Sequence, residues 1–395
     1  MMMAVAPEQL LFHGYELLLL KKLQTDHQLC KELRKLVSAS ENGEFDFGDL
    51  HSRWYLAVTL DRKRERFFEF IREQVQQSQS ENVKHRRETL LTTYLNRFQF
   101  TELHLDGIFK YGEDNTLPLE IFKCPSVRWL SMKYNYLDRI PPDIGRMSRL
   151  EYLALTNNKL QNKSIPFSLT FCSRLRTLML DNNLLDALPG FLLKMTSLQT
   201  VHRHGNHNYF KSTFMWYHTD VTERILEIPR MQDFMPREPD TLQFWAAKAV
   251  IGSKLDYYKD INVAPVLKDY ISDIYGIFNI CAHCKVAKLN NKGGFKVITF
   301  KNPYLGNTCV PFQHWACSMG CAEAVEIPAR REQISAAKLL DKEYDAYIKT
   351  CQRQYQSIQK RSQMALQRQS RTAEADDLEG QCSCVGTSSC SCVIM

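Results

Sequence analysis

Between Phe100 and Asn206 the chain repeats itself, and this restricts what it can fold into more than any other feature. Three units read Val127-x-x-Leu130-x-Met132-x-x-Asn135-x-Leu137, Leu150-x-x-Leu153-x-Leu155-x-x-Asn158-x-Leu160 and Leu175-x-x-Leu178-x-Leu180-x-x-Asn183-x-Leu185. Looser units start at Phe100 and Leu198, so successive starts lie 27, 23, 25 and 23 residues apart. Within a unit the leucines point inward from a short strand and the turn after it. The asparagine amide bonds the backbone of the bend. A unit of this size buries its apolar face only against a neighbour, so the array must stack.

That period and pattern are those of leucine-rich repeats. The expected fold class is α/β: a leucine-rich-repeat solenoid with a helical N-terminal region and a small Cys-rich, zinc-ribbon-like C-terminal module. The parallel strands of such an array present a concave face, here carrying Arg128, Ser131, Glu151, Ala154, Arg176, Met179 and His202. That face is the expected site for an unidentified protein substrate; a short array serving only as a spacer is the alternative. Residues 1–97 show helical periodicity over Leu10 to Val37, Trp54 to Val75 and Val83 to Phe98, with Asn42-Gly43 and Phe47-Gly48 between the first two. They are expected to cap the N-terminal end of the array. The boundaries that follow are 1–97 for the cap, 98–210 for the repeats, 211–275 for a helical segment, 276–330 for the Cys-rich module, 331–373 for a basic helix and 374–395 for a flexible tail.

After the repeats, Thr241 is placed as the N-cap of a helix through Ile251. Leu242, Ala246 and Val250 share one narrow face of it, with a small residue at the centre where a partner can approach closely. An amphipathic helix capping the repeats would show the same spacing. The run Thr241-Leu242-x-x-x-Ala246-x-x-x-Val250 resembles the BC box through which substrate receptors of cullin ubiquitin ligases bind the Elongin B–Elongin C pair. The resemblance implies that Leu242 enters a pocket on Elongin C; cysteine is frequent in the family where Ala246 stands. Ala264-Pro265-Val266-Leu267-Lys268-Asp269-Tyr270-Ile271 resembles the cullin box that follows, with Pro265, Leu267 and Tyr270 as its marks. The order of repeats, Thr-Leu helix, proline-led helix and cysteine pairs is similar to that of a group of leucine-rich-repeat substrate receptors, over residues 100 to 325.

Cys281-x-x-Cys284 and Cys317-x-x-x-Cys321 supply two ligand pairs, and such gaps let both thiolates of a pair reach one tetrahedral zinc. Cys309, His283 and His314 are reserve ligands. A four-thiolate site would be structural, because catalysis needs an open coordination position. Buried free cysteines in a small core are the other reading. Phe295 to Phe300 alternates like a strand between the pairs.

The chain ends Cys392-Val393-Ile394-Met395, a C-a-a-X box of the farnesyl-favouring kind, with Cys382, Cys384 and Cys390 upstream as candidate palmitoylation sites. Between Tyr347 and Ala373 lie Lys349, Arg353, Lys360, Arg361, Arg368 and Arg371 and no acidic residue. One lipid chain gives only marginal membrane binding, so a second lipid or a basic patch is needed, and both are present. The cluster Glu374, Asp376, Asp377 and Glu379 opposes the patch. The run lacks interleaved aromatics apart from Tyr347 and Tyr355, which argues for a membrane face over nucleic acid.

An apolar fraction of 44% with 24% charged residues excludes wholesale disorder. No stretch reaches the roughly 18 apolar residues of a membrane span. Leu17-Leu18-Leu19-Leu20 is closed off by Glu16 and Lys21-Lys22, too short for a secretory signal. A cytoplasmic chain is expected, peripheral at a membrane, its thirteen cysteines reduced or bound to metal. With no phosphate loop, carboxylate pair or nucleophile elbow, the chain is expected to be a non-catalytic adaptor. The expected function is substrate recognition for an Elongin BC–cullin ligase, and the alternative a lipid-anchored interaction scaffold in signalling.

Overall fold

The computed structural model describes residues 10–12, 16–17, 20–21, 67, 69–71, 73–74, 89–109, 117–206, 224–230, 241–304 and 310–380, with side chains from 16 to 371. The chain divides into two units, Met1–Arg330 and Arg331–Met395.

In the first unit each repeat contributes one three-residue strand. These are β2 (Glu102–His104), β3 (Trp129–Ser131), β4 (Tyr152–Ala154), β5 (Thr177–Met179) and β7 (Thr200–His202), and β1 (Leu10–Phe12) precedes them. All pair in parallel in the order β1-β2-β3-β4-β5-β7, at equivalent positions such as Leu103↔Leu130↔Leu153↔Leu178↔Val201. The register is fixed because a slip of one residue would turn each central leucine outward. Instead Leu103, Leu130, Leu153 and Leu178 are fully buried, in one core with the leucines of the following turns. Opposite the sheet the chain returns through 3-10 turns at Leu119–Lys123, Pro142–Arg146, Phe167–Phe171 and Gly190–Lys194.

The repeat asparagines are buried and saturated. Asn158 Oδ1 accepts from the backbone N of Asn135 (3.1 Å) and Leu137 (3.0 Å), and its Nδ2 donates to the carbonyls of Met132 (3.0 Å) and Leu155 (2.9 Å). Asn183 and Asn206 repeat the pattern one unit further on. Each side chain thus stitches two units together at backbone groups that would otherwise be buried unpaired.

Helix α1 (Leu90–Phe98) precedes the array, capped by Thr89, whose hydroxyl accepts from the N–H of Thr92 at 3.2 Å. Most of residues 1–97 lies outside the described set. The helical periodicity placed from Leu10 onward is corrected at its start: Leu10–Phe12 is a strand, because it finds the open edge of β2 and pairs there in parallel.

After the array come β8 (Ile225–Ile228), α2 (Leu242–Ser253), α3 (Pro265–Tyr275), β9 (Phe278–Ile280), β10 (Ala287–Leu289), β11 (Gly294–Lys301) and β12 (Val310–Ala316). Helix α2 starts where expected, with the Thr241 hydroxyl accepting from the N–H of Phe244 at 3.3 Å. The helical reading of 211–275 is corrected at Ile225–Ile228, which pairs antiparallel with β11 and belongs to the sheet of the following module. That sheet also recruits a piece of the repeats: β6 (Leu188–Pro189) pairs in parallel with β12 at Phe312 and Gln313. Val310, Phe312 and Tyr304 accordingly lie in the repeat core. Repeats and Cys-rich module are joined by backbone pairing and a shared core.

The last element, α4 (Met319–Gly380), starts earlier than the expected 331 and runs beyond 373. Residues 374–380, assigned above to the tail, are helical, since nothing between Ala373 and Gly380 breaks a helix. Among the described residues no helix is long and apolar enough to cross a membrane.

Candidate metal centre and docking face

The two cysteine pairs are brought together from opposite ends of the module. Cys281 and Cys284 lie on the turn of the β9–β10 hairpin, held by Cys281 N–H donating to the Val286 carbonyl (2.9 Å) and Ala282 N–H to the Trp315 carbonyl (2.8 Å). Cys317 follows β12, and Cys321 lies in the first turn of α4, its N–H donating to the Ser318 hydroxyl at 3.3 Å. The four sulfurs all lie within 4.8 Å of one another, with Cys284–Cys317 at 3.5 Å and Cys317–Cys321 at 3.7 Å, an arrangement able to hold a metal ion. Cys281 is fully buried and the other three partly so.

Electrostatics inside the cluster are uneven. Burial alone would push the Cys281 thiol up, but the backbone N–H groups of Cys284, Cys317 and His283 outweigh it and bring it down to about 7. Burial, and next its sulfur neighbours, push Cys317 up to about 12. Crowded thiols cannot all ionise unless a cation shares the space. Three lysines ring the site through its backbone: Lys254 Nζ donates to the carbonyls of Cys284 (3.0 Å) and Ala282 (3.3 Å), Lys194 Nζ to Ala282 (3.4 Å) and Lys288 Nζ to Cys317 (2.7 Å).

Among the described residues, neither reserve histidine is part of the cluster. His283 is exposed, Cys309 lies outside the described residues, and His314 points the other way, its Nε2 2.9 Å from the Thr299 hydroxyl. The His314 ring lies against Gly190 of the repeats, where an added Cβ would come within 2.1 Å of it. Enclosure first, then Lys194 and Lys301, holds its pKa down at about 4.

Helix α2 is apolar on both sides. Phe244, Ala247 and Ile251 face inward, into a core with Phe171, Tyr257, Ile271, Tyr275 and Phe278. Leu242 is 85% exposed and Trp245 44%, with Ala246 and Ala249 exposed beside them. Val250 is only half-buried, packed at the edge of the inner core. Neither Leu242 nor Val250 belongs to the core that holds Leu198 and Val201. The outward set is thus Leu242, Trp245, Ala246 and Ala249, spaced i, i+3, i+4, i+7. That period was present in the sequence, but the i, i+4, i+8 template passed over Trp245 and Ala249.

On α3, Pro265, Val266 and Leu267 are exposed, whereas Tyr270 is partly buried against the same core. Asp269 ties α3 to the repeats through Arg146, at 2.5 Å, and Arg146 also contacts Asp143 at 2.7 Å and lies 4.6 Å from the Tyr258 ring centroid.

The strand face of the repeats departs from expectation. Ser131 is buried, its hydroxyl 2.6 Å from Asp106 Oδ1, and Ala154 is fully buried, so neither offers a partner a contact. The cause is the bulk of neighbours on the same face: Trp129 and Tyr152 stack with centroids 3.5 Å apart and planes 12° from parallel. This aromatic pair, which no expectation included, is partly exposed there. Arg128 and Glu151 pair with each other at 2.9 Å, and Arg176, Met179 and His202 complete the face.

Cys382, Cys384, Cys390 and Cys392 lie outside the described residues. Arg353, Lys360, Arg361, Arg368 and Arg371 are exposed on α4.

No protein-family model matches the chain, and no curated protein sequence matches it. Among solved structures it is similar to a leucine-rich-repeat protein of Leptospira interrogans, at 24% identity over 30% of this chain and 28% of that one, with a TM-score of 0.25. It is also similar to the leucine-rich-repeat ectodomain of the receptor kinase SOBIR1 from Arabidopsis thaliana, at 26% identity over 23% of this chain and 50% of that one, with a TM-score of 0.19. The chain therefore spans half or less of either structure.

Proposed function

We propose that this chain is the substrate-recognition subunit of an Elongin BC–cullin ubiquitin ligase, held at the cytosolic face of a membrane by C-terminal prenylation. The observation that carries the reading is the exposure of Leu242, at 85%, beside Trp245 on a helix whose other face is locked into a core. Burying an exposed leucine gains about 1.5–3 kcal/mol, and a rigid helix presents it without an ordering cost. Leu242 and Ala246, with Trp245 and Ala249 beside them and only the outer edge of Val250, would dock the adaptor, and Pro265, Leu267 and the accessible part of Tyr270 the cullin. A protein substrate would lie on the strand face with the Trp129–Tyr152 stack. The chain does no chemistry; it holds a target beside the ubiquitin donor.

The four-thiol cluster fits zinc. A tetrahedral ion with bonds of about 2.3 Å sets its sulfurs about 3.8 Å apart, against 3.5 and 3.7 Å here. Zinc bound by Cys281, Cys284, Cys317 and Cys321 would serve the fold alone.

Affinity capture of the full chain from cells, beside Leu242→Asp, tests the docking. Elongin B, Elongin C and a cullin are expected with the wild type and absent from the variant at equal stability. Their absence from both would overturn the reading. For the anchor, Cys392→Ser is expected to move the chain from the membrane pellet to the supernatant, and an unchanged distribution would refute lipidation. A lipid-anchored scaffold unrelated to ubiquitin is the second reading. It is favoured by Phe244, Ala247 and Ile251, whose packing alone would explain a capping helix.

A further inference from the structure

The docking helix and the thiol cluster are physically connected at the C-terminal end of α2, where one residue is strained. Helix α2 ends at Lys254, whose φ is +63°, a left-handed conformation for which glycine is the usual choice. A lysine there gives up backbone stability, and such outliers persist where the surroundings over-determine them. Here they do: the side chain runs to the cysteine knuckle and donates to two of its carbonyls, Ala282 at 3.3 Å and Cys284 at 3.0 Å. A second contact lies two residues earlier. A Cβ on Gly252 would meet the Lys285 carbonyl at 2.7 Å and Ala287 N at 3.0 Å, so the last turn of α2 lies directly on the backbone that follows Cys284. The ammonium is also within electrostatic reach of Cys281, Cys284 and Cys321.

We infer that Lys254 is a positioning residue coupling the two sites: a metal ion held by the four thiolates fixes the knuckle, and the knuckle, through Lys254 and the Gly252 contact, seats α2. Four thiolates around a divalent zinc carry a net charge of −2, and the ammonium that braces the knuckle backbone also offsets that charge. Metal occupancy and the seating of α2 are therefore linked in both directions. The coupling itself does not depend on what α2 binds; its consequence for partner capture rests on the function proposed above.

Lys254→Gly separates this role from ordinary helix capping, because the two predict opposite signs. Glycine relieves the left-handed strain, so a mere cap would gain stability and the amides of α2 would exchange more slowly. If Lys254 is the tie, its loss loosens both ends. The zinc-loaded full chain is compared with Lys254→Gly and with the chelator-stripped chain. Amide hydrogen exchange is followed over residues 242–253, and zinc release to a chelating dye is followed in the two loaded chains. Expected are faster exchange across α2 in both altered proteins and zinc release about tenfold faster in Lys254→Gly, in the range of lost metal-site support groups. Unchanged or slower exchange across α2 in either altered protein overturns the coupling. Neither readout involves Elongin, so a failed capture experiment would leave the coupling standing.

Discussion

The eighth residue of each repeat shows how much one backbone angle decides. It precedes the asparagine position, and in all five units its φ is positive: Gly107 (+71°), Tyr134 (+59°), Asn157 (+57°), Asn182 (+53°) and Gly205 (+72°). Glycine and asparagine take this conformation at low cost; a bulky aromatic does not. Tyr134 is half exposed, so little burial compensates it. Tyr134→Asn, which installs the residue used at 157 and 182, is expected to stabilise the chain by about 0.5–1 kcal/mol, read as a higher midpoint in urea; a lower midpoint would show that the tyrosine side chain contributes more than its backbone costs.

His314 gives a pH dependence at the same scale. Its folded pKa is held at about 4 against an ordinary 6.5. Above 6.5 both states are neutral and the contribution to stability is complete. As pH falls the unfolded chain takes up the proton first, so stability is lost between about 6.5 and 4, on the order of 3 kcal/mol. His314→Gln should flatten that part of the acid profile, whatever it does to stability at neutral pH; an identical slope would place the loss in other groups.

At the scale of elements, α2 must satisfy two surfaces at once. Phe244 is 2% exposed and packs on Phe278 with centroids 5.6 Å apart, while Leu242, two residues earlier, is in solvent. Phe244→Ala should therefore cost about 3–5 kcal/mol. Leu242→Asp should cost less than about 0.5 kcal/mol while abolishing adaptor capture. Thermal melts beside the capture experiment distinguish the two, and a large loss of stability in Leu242→Asp would mean that its exposure here is not the exposure in solution. The i, i+4, i+8 template read from the sequence could not make this division. A helix with apolar residues on both faces carries more than one apolar period, and only the core made by Phe171, Tyr257, Ile271 and Tyr275 selects which face is inside.

For the molecule as a whole, the structure changes what counts as a domain. Boundaries drawn at 210 and 275 follow changes of composition, yet Phe312 from the module lies in the repeat core, β6 from the repeats lies in the module sheet, and Asn162 meets Gln313 at 2.5 Å between them. Stripping zinc with a chelator is therefore expected to lower the melting temperature of repeats and module together, in one transition. Two transitions, with the repeats unaffected, would show that the shared core does not couple them.

The sequence by itself determined what is periodic and local. Strand positions, the asparagine stitches, the Thr241 cap and the two cysteine pairs follow from spacings that backbone geometry sets one turn or one strand at a time. Tertiary structure alone decided what depends on a distant surface. Bulky neighbours buried Ser131 and Ala154, the free edge of β2 drew Leu10–Phe12 into a strand, and β11 did the same for Ile225–Ile228. It also set the direction of His314 and brought Lys254 to carbonyls about thirty residues away along the chain. Burial and hydrogen bonding are properties of two partners, and a periodic pattern specifies only one of them.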